Sequence, residues 1–521
     1  MPSPDVSEWE LPRMRTSFIF QVSVLPWLSL FLQDLAEFFD VKFYPYNPPG
    51  APPVFAATSK KHSVICRLTR PTEHGANPCH IIQIIRDQGD TENCASCWSK
   101  DPVTQEAWLC VAGSDALIKI YNVVKGSLVK TLVGHGGGIN DLATSPDNPL
   151  IIASASEDTT IRIWSLADAH EKQPCVCILA GEGHSYDLLS VAFHDNGRYL
   201  LSAGHDQVIN MWALPTFPAE HVDIPFVMHY PHFSSSEVHN NLVDCVAFHG
   251  DLILSRACHE DKIVLWRIEG FSSSDPIPKP LDAPTPTDMA KQTRSYFAPT
   301  LSHSRPAMFT RLAQFSTPDC AIQFYLRFSL FRAPGKHPVL AFANAKSKTF
   351  FWDFSRFGGY RKYMAELKEA QREGRPLTGG GGVPKPNWLK YPRGKKGPKT
   401  TTAAATAAAV QAVVGDGTSS LRSAVSTTGD KESGLSSPDP ESVTSLGHTK
   451  EALQKWADMY DLTNPFRLVK AHRVYSIEGS FVGRQVGWSP EGDWCVVVGN
   501  GNRALLYQRW GKEKGVAIQM S

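Results

Sequence analysis

The sequence predicts an all-β fold, a β-propeller, because one unit of short apolar runs separated by turn signals recurs along the chain. In residues 183–212, three apolar runs of about one strand's length occupy residues 188–193, 199–203 and 208–212. Asn196-Gly197 separates the first two runs and predicts a two-residue hairpin, because both turn positions need a positive φ. The unit opens with a Gly-His pair and closes on Asp206 and Trp212, the pattern of one four-stranded WD-repeat blade.

Six further stretches repeat this pattern. One is a degenerate first copy at residues 54–68, and the others close on the aromatic residues Tyr121, Trp164, Trp266, Trp352 and Tyr507. A lone blade cannot bury both of its faces, whereas a ring of blades covers the faces and removes most exposed strand edges. The sequence therefore predicts a seven-bladed WD-repeat β-propeller with a long disordered insert between the last two blades.

The chain divides by composition into five parts. These are an N-terminal segment (1–38), blades one to six (39–356), a low-complexity insert (357–464), the last blade (465–510) and a C-terminal tail (511–521). Apolar residues alternate in residues 17–24, which predicts a strand that closes the ring beside residues 503–508. Residues 25–38 have no clear place in this scheme.

The insert begins with a helical pattern at residues 360–373 and continues through a glycine run, an Ala/Thr run and a Ser/Gly/Asp-rich stretch. Such a composition cannot bury enough apolar surface to order itself, so residues 378–447 are expected to be disordered. Residues 385–399 carry six basic residues and no acidic one, with Trp388 and Tyr391 between them. They fit a weak nucleic-acid contact or a nuclear import signal, and equally a solvated linker.

Composition excludes several function classes. The formal net charge is +1, so the whole molecule is not a bulk polyanion binder. The eleven Cys residues mostly lie in predicted strands, which fits a reducing compartment. Cys94-x-x-Cys97 has no second pair nearby and is interpreted as two buried thiols rather than a zinc site. The apolar region that runs to residue 32 is too short and interrupted for a membrane span.

No enzyme constellation is present: the sequence lacks a nucleophile elbow, a phosphate-binding loop and a paired-histidine zinc motif. We therefore expect no catalytic residue, no metal and no cofactor. His135, His184 and His239 fall where WD-repeat blades place a histidine in a buried hydrogen-bond network with Ser/Thr, Asp and Trp. A ring of blades without catalytic groups is typically a platform for peptides and proteins.

Six stretches go beyond the general WD-repeat pattern: HYPHFSSSEVHNNLVDCVAFHGDLILSRACHEDKIVLW, WLCVAGSDALIKIYN, VGHGGGIND, GEGHSYDLLS, FYLRFSLF and GRQVGWSPEG. In these stretches the chain resembles the EED/Extra-sex-combs family, the WD-repeat subunit of Polycomb repressive complex 2, as a divergent, fungal-like member with a long insert. The resemblance covers nearly all of residues 39–356 and 465–510, and it leaves out residues 25–38 and the insert.

The resemblance implies a nuclear, non-catalytic scaffold and histone reader. Its implied partners are an Enhancer-of-zeste-type SET-domain methyltransferase, a Suppressor-of-zeste-type subunit and the histone H3 tail. Family members hold a methyltransferase helix on one face and, on the other, bind trimethyl-lysine in an aromatic cage, which stimulates the methyltransferase and promotes gene silencing. A quaternary ammonium has no donors left, so ring faces recognise it at about 0.5–2 kcal/mol per good cation–π contact.

The family motifs place the cage at four positions of this sequence. FDVKF matches the strand of the first cage Phe at Phe39, and FYLRFS matches the family's Trp-Tyr pair at Phe324 and Tyr325. Cys94 stands where the family has a tyrosine, so the fourth wall is either open or supplied by Tyr44 or Tyr46. Arg327 and Arg484 lie in motifs beside the mouth, where they either contact the peptide backbone or pair with acidic residues of the propeller.

Two other classes of protein remain open from the sequence. One is a generic interaction scaffold, such as a ubiquitin-ligase substrate receptor, in which a W-D-x-R pattern often ends a blade; here WDFSR places Arg356 one residue late. The other is a propeller enzyme, for which the sequence offers no nucleophile, metal cluster or cofactor loop.

Overall fold

A computed structural model describes residues 11–20, 37–69, 77–87, 89, 91–285, 292–298, 307–320, 322–379, 381–392 and 444–509. The chain divides into two compact units. The propeller unit comprises Glu8–Phe354 and Leu462–Ser521, and the insert unit comprises Ser355–Asp461.

The described part of the propeller unit contains seven sheets of mainly antiparallel strands, one for each blade. This confirms the predicted fold. Blade one contains β2 (Phe38–Phe43), β3 (Val54–Ser59), β4 (His62–Leu68) and β5 (Cys79–Arg86). Blade two contains β6 (Asn93–Lys100), β7 (Ala107–Gly113), β8 (Ile118–Asn122) and β9 (Ser127–Leu132). Blade seven contains β29 (Gly483–Trp488), β30 (Trp494–Gly499), β31 (Arg503–Gln508) and, as its outermost strand, β1 (Arg13–Ile19).

The three middle blades each have a fifth, outermost strand. Blade three contains β10 (Ile139–Thr144), β11 (Ile151–Ser156), β12 (Ile161–Ser165), β13 (Cys175–Leu179) and β17 (Phe226–Met228). Blade four contains β14 (Leu188–Phe193), β15 (Tyr199–Gly204), β16 (Ile209–Ala213), β18 (Phe233–Ser235) and β22 (Thr293–Ser295). Blade five contains β19 (Val243–His249), β20 (Leu252–Ala257), β21 (Lys262–Ile268), β23 (Phe309–Ser316) and β27 (Leu468–Val469).

Blade six is interrupted by the insert. It contains β24 (Ser329–Phe331), β25 (Val339–Ala343), β26 (Lys348–Asp353) and β28 (Arg473–Ser476). The chain leaves this blade after its third strand, passes through the insert unit and returns to supply the fourth strand. Residues 465–510, assigned from the sequence to the last blade, therefore also provide one strand to blade five and one to blade six.

The beginning and the end of the chain meet in blade seven. Strand β1 pairs antiparallel with β31, with Arg13 opposite Gln508 and Ile19 opposite Arg503. The closing strand thus begins four residues before the predicted range 17–24 and overlaps it only at residues 17–19. Phe20 continues from this strand, is buried and donates to the carbonyl of Asn502 at 2.8 Å, whereas residues 21–36 lie outside the described residues.

The predicted histidine networks are hydrogen-bonded within three of the blades and stabilise each of them. In blade four, His184 lies 2.8 Å from both Asp206 and Ser202, and Trp212 donates to Ser202 at 2.9 Å. The same set recurs in blades three and five, where the residues are His135, Asp158, Ser154 and Trp164, and His239, Glu260, Ser255 and Trp266. Each serine joins the histidine ring to the indole in the apolar interior, so these histidines have structural roles, as predicted.

The insert unit has its own small core. Helix α1 (Ser355–Arg372) and helix α2 (Lys450–Tyr460) contribute Tyr360, Tyr363, Leu367, Trp456 and Tyr460 to it. Thr449 caps α2 by accepting the backbone N–H of Ala452 at 3.2 Å. Residues 378–392 and 444–447 were expected to be disordered, but Leu389 is fully buried and Leu446 packs against the core. Residues 393–443, the middle of that expectation, lie outside the described residues.

The two aromatic residues of the basic stretch 385–399, Trp388 and Tyr391, also pack in this core. Trp388 lies 4.9 Å from Tyr460, and Tyr391 lies 5.3 Å from Trp456, measured between ring centroids. Both rings are half-buried against protein, and the nucleic-acid contact through residues 385–399 stays a prediction. The basic residues at 393–399 lie outside the described residues. Within the described chain, neither helix is long and apolar enough to cross a membrane.

Candidate functional site

The inner strands of the propeller begin at one mouth of the central channel, and six of them share an irregularity there. The register shifts at the second residue of β2, β6, β10, β14, β19 and β29. The residues skipped by the pairing are Phe39, Cys94, Asn140, Leu189, Asp244 and Arg484. A β-bulge re-aims the side chain and carbonyl of the extra residue, so this repeated bulge builds the mouth.

The three predicted aromatic residues lie together at this mouth. The rings of Phe39 and Tyr325 have centroids 6.0 Å apart at an interplanar angle of 83°, and those of Phe324 and Tyr325 are 6.5 Å apart at 89°. Tyr325 thus forms the base, and the other two rings stand perpendicular to it. Phe324 is 47% exposed and Phe39 is half-buried, whereas Tyr325 is only 6% exposed.

Tyr325 is held by its backbone and by its hydroxyl group. Its φ is +63°, a left-handed conformation that costs a non-glycine residue energy and is concentrated at functional sites. The hydroxyl donates to the carbonyl of Asn140 and lies 3.3 Å from the carbonyl of Cys94. Both acceptors are bulge residues, so the bulges of blades two and three hold the base ring of the site. Burial raises the pKa of Tyr325 well above its usual value, which keeps the phenol protonated as a donor.

Arg327 lies beneath Tyr325, and its two terminal guanidinium nitrogens bind to the propeller. Its guanidinium pairs with Asp141 at 2.6 Å and donates to the carbonyls of Asn140 at 2.9 Å and Leu189 at 2.6 Å. The guanidinium carbon lies 4.3 Å from the Tyr325 ring centroid, a cation–π contact from below. Of the two roles predicted for Arg327, the structure shows the pairing with an acid; contact with a peptide stays a prediction.

Arg484 also pairs with an acid. Its Nε lies 2.5 Å from Glu37, and it donates to the carbonyl of Phe324 at 2.8 Å. Its guanidinium carbon lies 5.8 Å from the Phe39 ring centroid. Arg484 therefore ties the segments that carry Phe39 and Phe324 to each other, a positioning role that the sequence did not indicate.

Cys94 takes the fourth side of the mouth without a ring. It is half-buried, and its thiol donates to the carbonyl of Ile139 at 3.4 Å. Burial raises the pKa of Cys94 to about 11, so it is a neutral thiol at physiological pH. Within the described chain, no group of three or more His, Cys, Asp or Glu residues is arranged to hold a metal ion.

The proposed substitutes for the fourth wall are at the wrong end of the channel. Tyr44 and Tyr46 follow the last residue of β2, whereas Phe39 lies near its first residue, a separation of about 16 Å at the rise of an extended strand. Their rings pack on each other and on Trp98, with Tyr44 5.1 Å from Trp98. The expectation that either tyrosine completes the site is therefore wrong.

The mouth contains one ring that the sequence did not predict. His205, in the turn between β15 and β16, has its ring centroid 6.3 Å from that of Phe324 at an interplanar angle of 84°. Phe39, Phe324, Tyr325 and this exposed imidazole offer ring faces at the mouth. Such a set can surround a cation that has no hydrogen-bond donors.

The comparisons with known proteins agree with this architecture. The family model described as "WD domain, G-beta repeat" matches residues 126–165 and 174–213. The chain is 65% identical to Polycomb protein EED of Chaetomium thermophilum, over 99% of both chains. It is 28% identical to Polycomb protein esc of Drosophila melanogaster, over 64% of this chain and 74% of that one.

Solved structures show the same similarity. A subunit of the crystal structure of the Chaetomium thermophilum Polycomb repressive complex 2 is 66% identical, with a TM-score of 0.83 over 98% of this chain and 100% of that chain. A subunit of the same organism's complex with H3K27me3 is also 66% identical, with a TM-score of 0.84 over the same shares.

Proposed function

The chain belongs to the EED/Extra-sex-combs family of Polycomb proteins, and from this membership we propose that it is a non-catalytic reader and scaffold of a Polycomb-type histone methyltransferase complex. It binds trimethyl-lysine of the histone H3 tail between Phe39, Phe324 and Tyr325, and binding stimulates the Enhancer-of-zeste-type catalytic subunit. The protein thereby acts on chromatin in the nucleus and promotes gene silencing.

The arrangement of three rings at one channel mouth carries this proposal. Phe39 and Phe324 stand perpendicular to Tyr325 at centroid separations of 6.0 and 6.5 Å, which leaves ring faces around a common space. The two arginines closest to the rings are neutralised by Asp141 and Glu37. A trimethylammonium group therefore meets π faces without facing an unpaired cation. One solved relative was determined in complex with H3K27me3.

The fourth side distinguishes this cage from the family pattern. Cys94 supplies no ring face, and Phe324 replaces the family's tryptophan with a smaller π system. Fewer and smaller rings give a weaker cation–π energy, so the discrimination between methylated and unmethylated lysine is carried chiefly by Phe39, Phe324 and Tyr325. Phe324 is the most exposed of the three, which makes it the variant least prone to disturb the fold.

Calorimetric titration with trimethylated and unmethylated H3 peptides tests the reader function. We expect the wild type to prefer the trimethylated peptide and Phe324→Ala to lose about 0.5–2 kcal/mol, roughly two- to thirtyfold in affinity. Phe466→Ala is the matched control, because Phe466 is a phenylalanine that is 69% exposed and lies outside the cage. Equal affinity of the wild type for both peptides would contradict the proposal, as would equal losses in the two variants.

The stimulation of the methyltransferase needs a second measurement. In a complex reconstituted with its SET-domain subunit, the trimethylated peptide is expected to raise the methylation rate with the wild type and not with Phe324→Ala. The rate without peptide should be the same for both, because Phe324 takes no part in assembly under this proposal. If the peptide stimulated both complexes equally, stimulation would not depend on the cage, and this part of the proposal would be contradicted.

A further inference from the structure

His205 is an exposed histidine whose ring meets the ring of Phe324 edge to face. The centroids are 6.3 Å apart and the interplanar angle is 84°, a geometry favoured by aromatic pairs. His205 belongs to blade four, whereas Phe324 lies in the segment that leads into blade six. The two residues are therefore brought together only by closure of the ring around the channel.

The backbone that carries His205 is firmly held. Its N–H donates to the carbonyl of Asp187 at 2.9 Å. The next residue, Asp206, is fixed by His184 at 2.8 Å and by the N–H of Ser185 at 3.1 Å. Because that network is buried in the blade, the backbone that carries the imidazole is rigid. The imidazole can therefore limit the rotation of the half-exposed Phe324 side chain.

Phe324 needs such a support. It stands in place of a tryptophan in the family pattern, and its single six-membered ring has a smaller π surface than an indole. A second aromatic ring against Phe324 restores π surface on that side and restricts the rotation of a side chain that is 47% exposed. The imidazole ring of His205 has the position and the chemistry for this.

We propose that His205 is a positioning residue of the methyl-lysine cage, which supports Phe324 when its imidazole is neutral and weakens binding of the trimethylammonium group when it is protonated. The inference rests on the proposed reader function. A protonated imidazole would place a cation beside the ring that must attract the ligand's cation, and the two would compete for the same π face.

The other charged or titratable groups around His205 and Phe324 include the half-buried Asp187 and the exposed His259, which follows Cys258, a residue in contact with the Ile322 carbonyl at 3.7 Å. Asp206 is held by His184, and Arg327 by Asp141. Asp187, on the loop packed against His205, meets it through a backbone carbonyl. The remaining groups on the segment that carries Phe324 are Asp319, which pairs with Lys348 at 2.8 Å, and the buried Cys320 and Tyr325. Histidine is the side chain that ordinarily gains a proton between pH 8 and pH 5, so comparing the wild type with His205→Phe separates a contribution of His205 from one of His259.

The test is a calorimetric titration of the full chain with a trimethylated H3 peptide that contains no histidine, at pH 8.0 and pH 5.5. The variants are His205→Ala, His205→Phe and the control His221→Ala, since His221 is another exposed histidine, paired with Asp223 at 3.2 Å on a different loop. Thermal melting at each pH verifies that the variants fold as the wild type does.

At pH 8.0 we expect His205→Ala to bind about three- to tenfold more weakly, the value of one aromatic contact, and His205→Phe to bind as the wild type does. Lowering the pH to 5.5 is expected to weaken the wild type and His221→Ala at least threefold and to leave His205→Phe unchanged. The inference would be overturned if His205→Ala bound the peptide as tightly as the wild type does at pH 8.0. It would also be overturned if His205→Phe and the wild type showed the same pH dependence.

This outcome is distinguishable from failure of the reader function itself. If the wild type does not prefer the methylated peptide at pH 8.0, the proposed function and the inference are both overturned. If the wild type prefers it and Phe324→Ala binds the methylated peptide more weakly while His205→Ala binds it with the affinity of the wild type, only the role of His205 is refuted.

Discussion

Replacing Tyr325 by phenylalanine separates the two roles that the structure gives this residue. The ring forms the base of the cage, and the hydroxyl fastens that ring to the bulge carbonyls of Asn140 and Cys94. Tyr325→Phe keeps the ring and removes only the hydroxyl. The variant therefore tests whether the site recognises its ligand by ring faces or by a hydrogen-bond donor.

The magnitude follows from the hydrogen bonds that are lost. One intramolecular hydrogen bond contributes about 0.5–1.5 kcal/mol to stability, and leaving a buried acceptor unsatisfied costs more. The Asn140 carbonyl also accepts from Arg327 at 2.9 Å, so it keeps a partner in the variant. We therefore expect Tyr325→Phe to lower the free energy of unfolding by about 1 kcal/mol. Tyr325→Ala should lower it by about 3–5 kcal/mol, because it also opens a cavity under the mouth.

Binding should respond differently. Since the quaternary ammonium accepts no hydrogen bond and donates none, Tyr325→Phe should keep the affinity for the trimethylated peptide within about threefold, whereas Tyr325→Ala should lose about tenfold or more. Calorimetric titration measures the affinities, and differential scanning calorimetry shows that each variant is folded at the temperature used. If Tyr325→Phe is folded but no longer distinguishes the methylated peptide, recognition by ring faces is refuted.

Two further predictions concern the two units. Deleting residues 1–20 removes β1 and exposes the edge of β31, so the melting temperature of the propeller should fall; an unchanged value would show that this strand does not stabilise the ring. In the insert unit, burial lowers the pKa of His448 from 6.5 to about 4, and the ring nitrogens contact Tyr363 at 2.7 Å and Tyr391 at 2.9 Å. Unfolded chains bind the proton between those two pKa values and the folded unit does not, so its stability should fall by about 2 kcal/mol from pH 7.5 to pH 5.0. Hydrogen exchange of α2, corrected for its intrinsic pH dependence, measures this, and equal protection at both pH values would contradict it.

The repeated unit made the fold predictable from the sequence. The three runs in residues 183–212 became β14, β15 and β16 with bounds within one residue, because apolar runs of strand length and the Asn196-Gly197 turn are local properties of the chain. The buried networks of His135, His184 and His239 were predictable for the same reason, since each repeats within one blade. The fifth strands of the middle blades were not, because short segments such as β27 carry too little pattern to indicate a partner.

The insert shows the limit of composition as a guide. The pattern at residues 360–373 predicted helix α1, which the structure has. The glycine, alanine and serine runs indicated disorder for residues 378–447 and gave no sign of the core around Leu389 and Trp456. These apolar residues are separated by a long stretch of chain, so each end of the insert by itself lacks a core. Only their association makes the burial of either end favourable.

The sequence by itself determined the ring of blades and, through the family motifs, the aromatic positions Phe39, Phe324 and Tyr325. Only the tertiary structure decided how the mouth is built: the bulge at the start of the inner strands, the pairing of Arg327 with Asp141 and of Arg484 with Glu37, the absence of Tyr44 and Tyr46 from the site, and the contact of His205 with Phe324. The physical reason is the range of the interactions. Strand and turn patterns are fixed by neighbours along the chain, whereas these contacts join residues of different blades, and closing the ring is what brings them together.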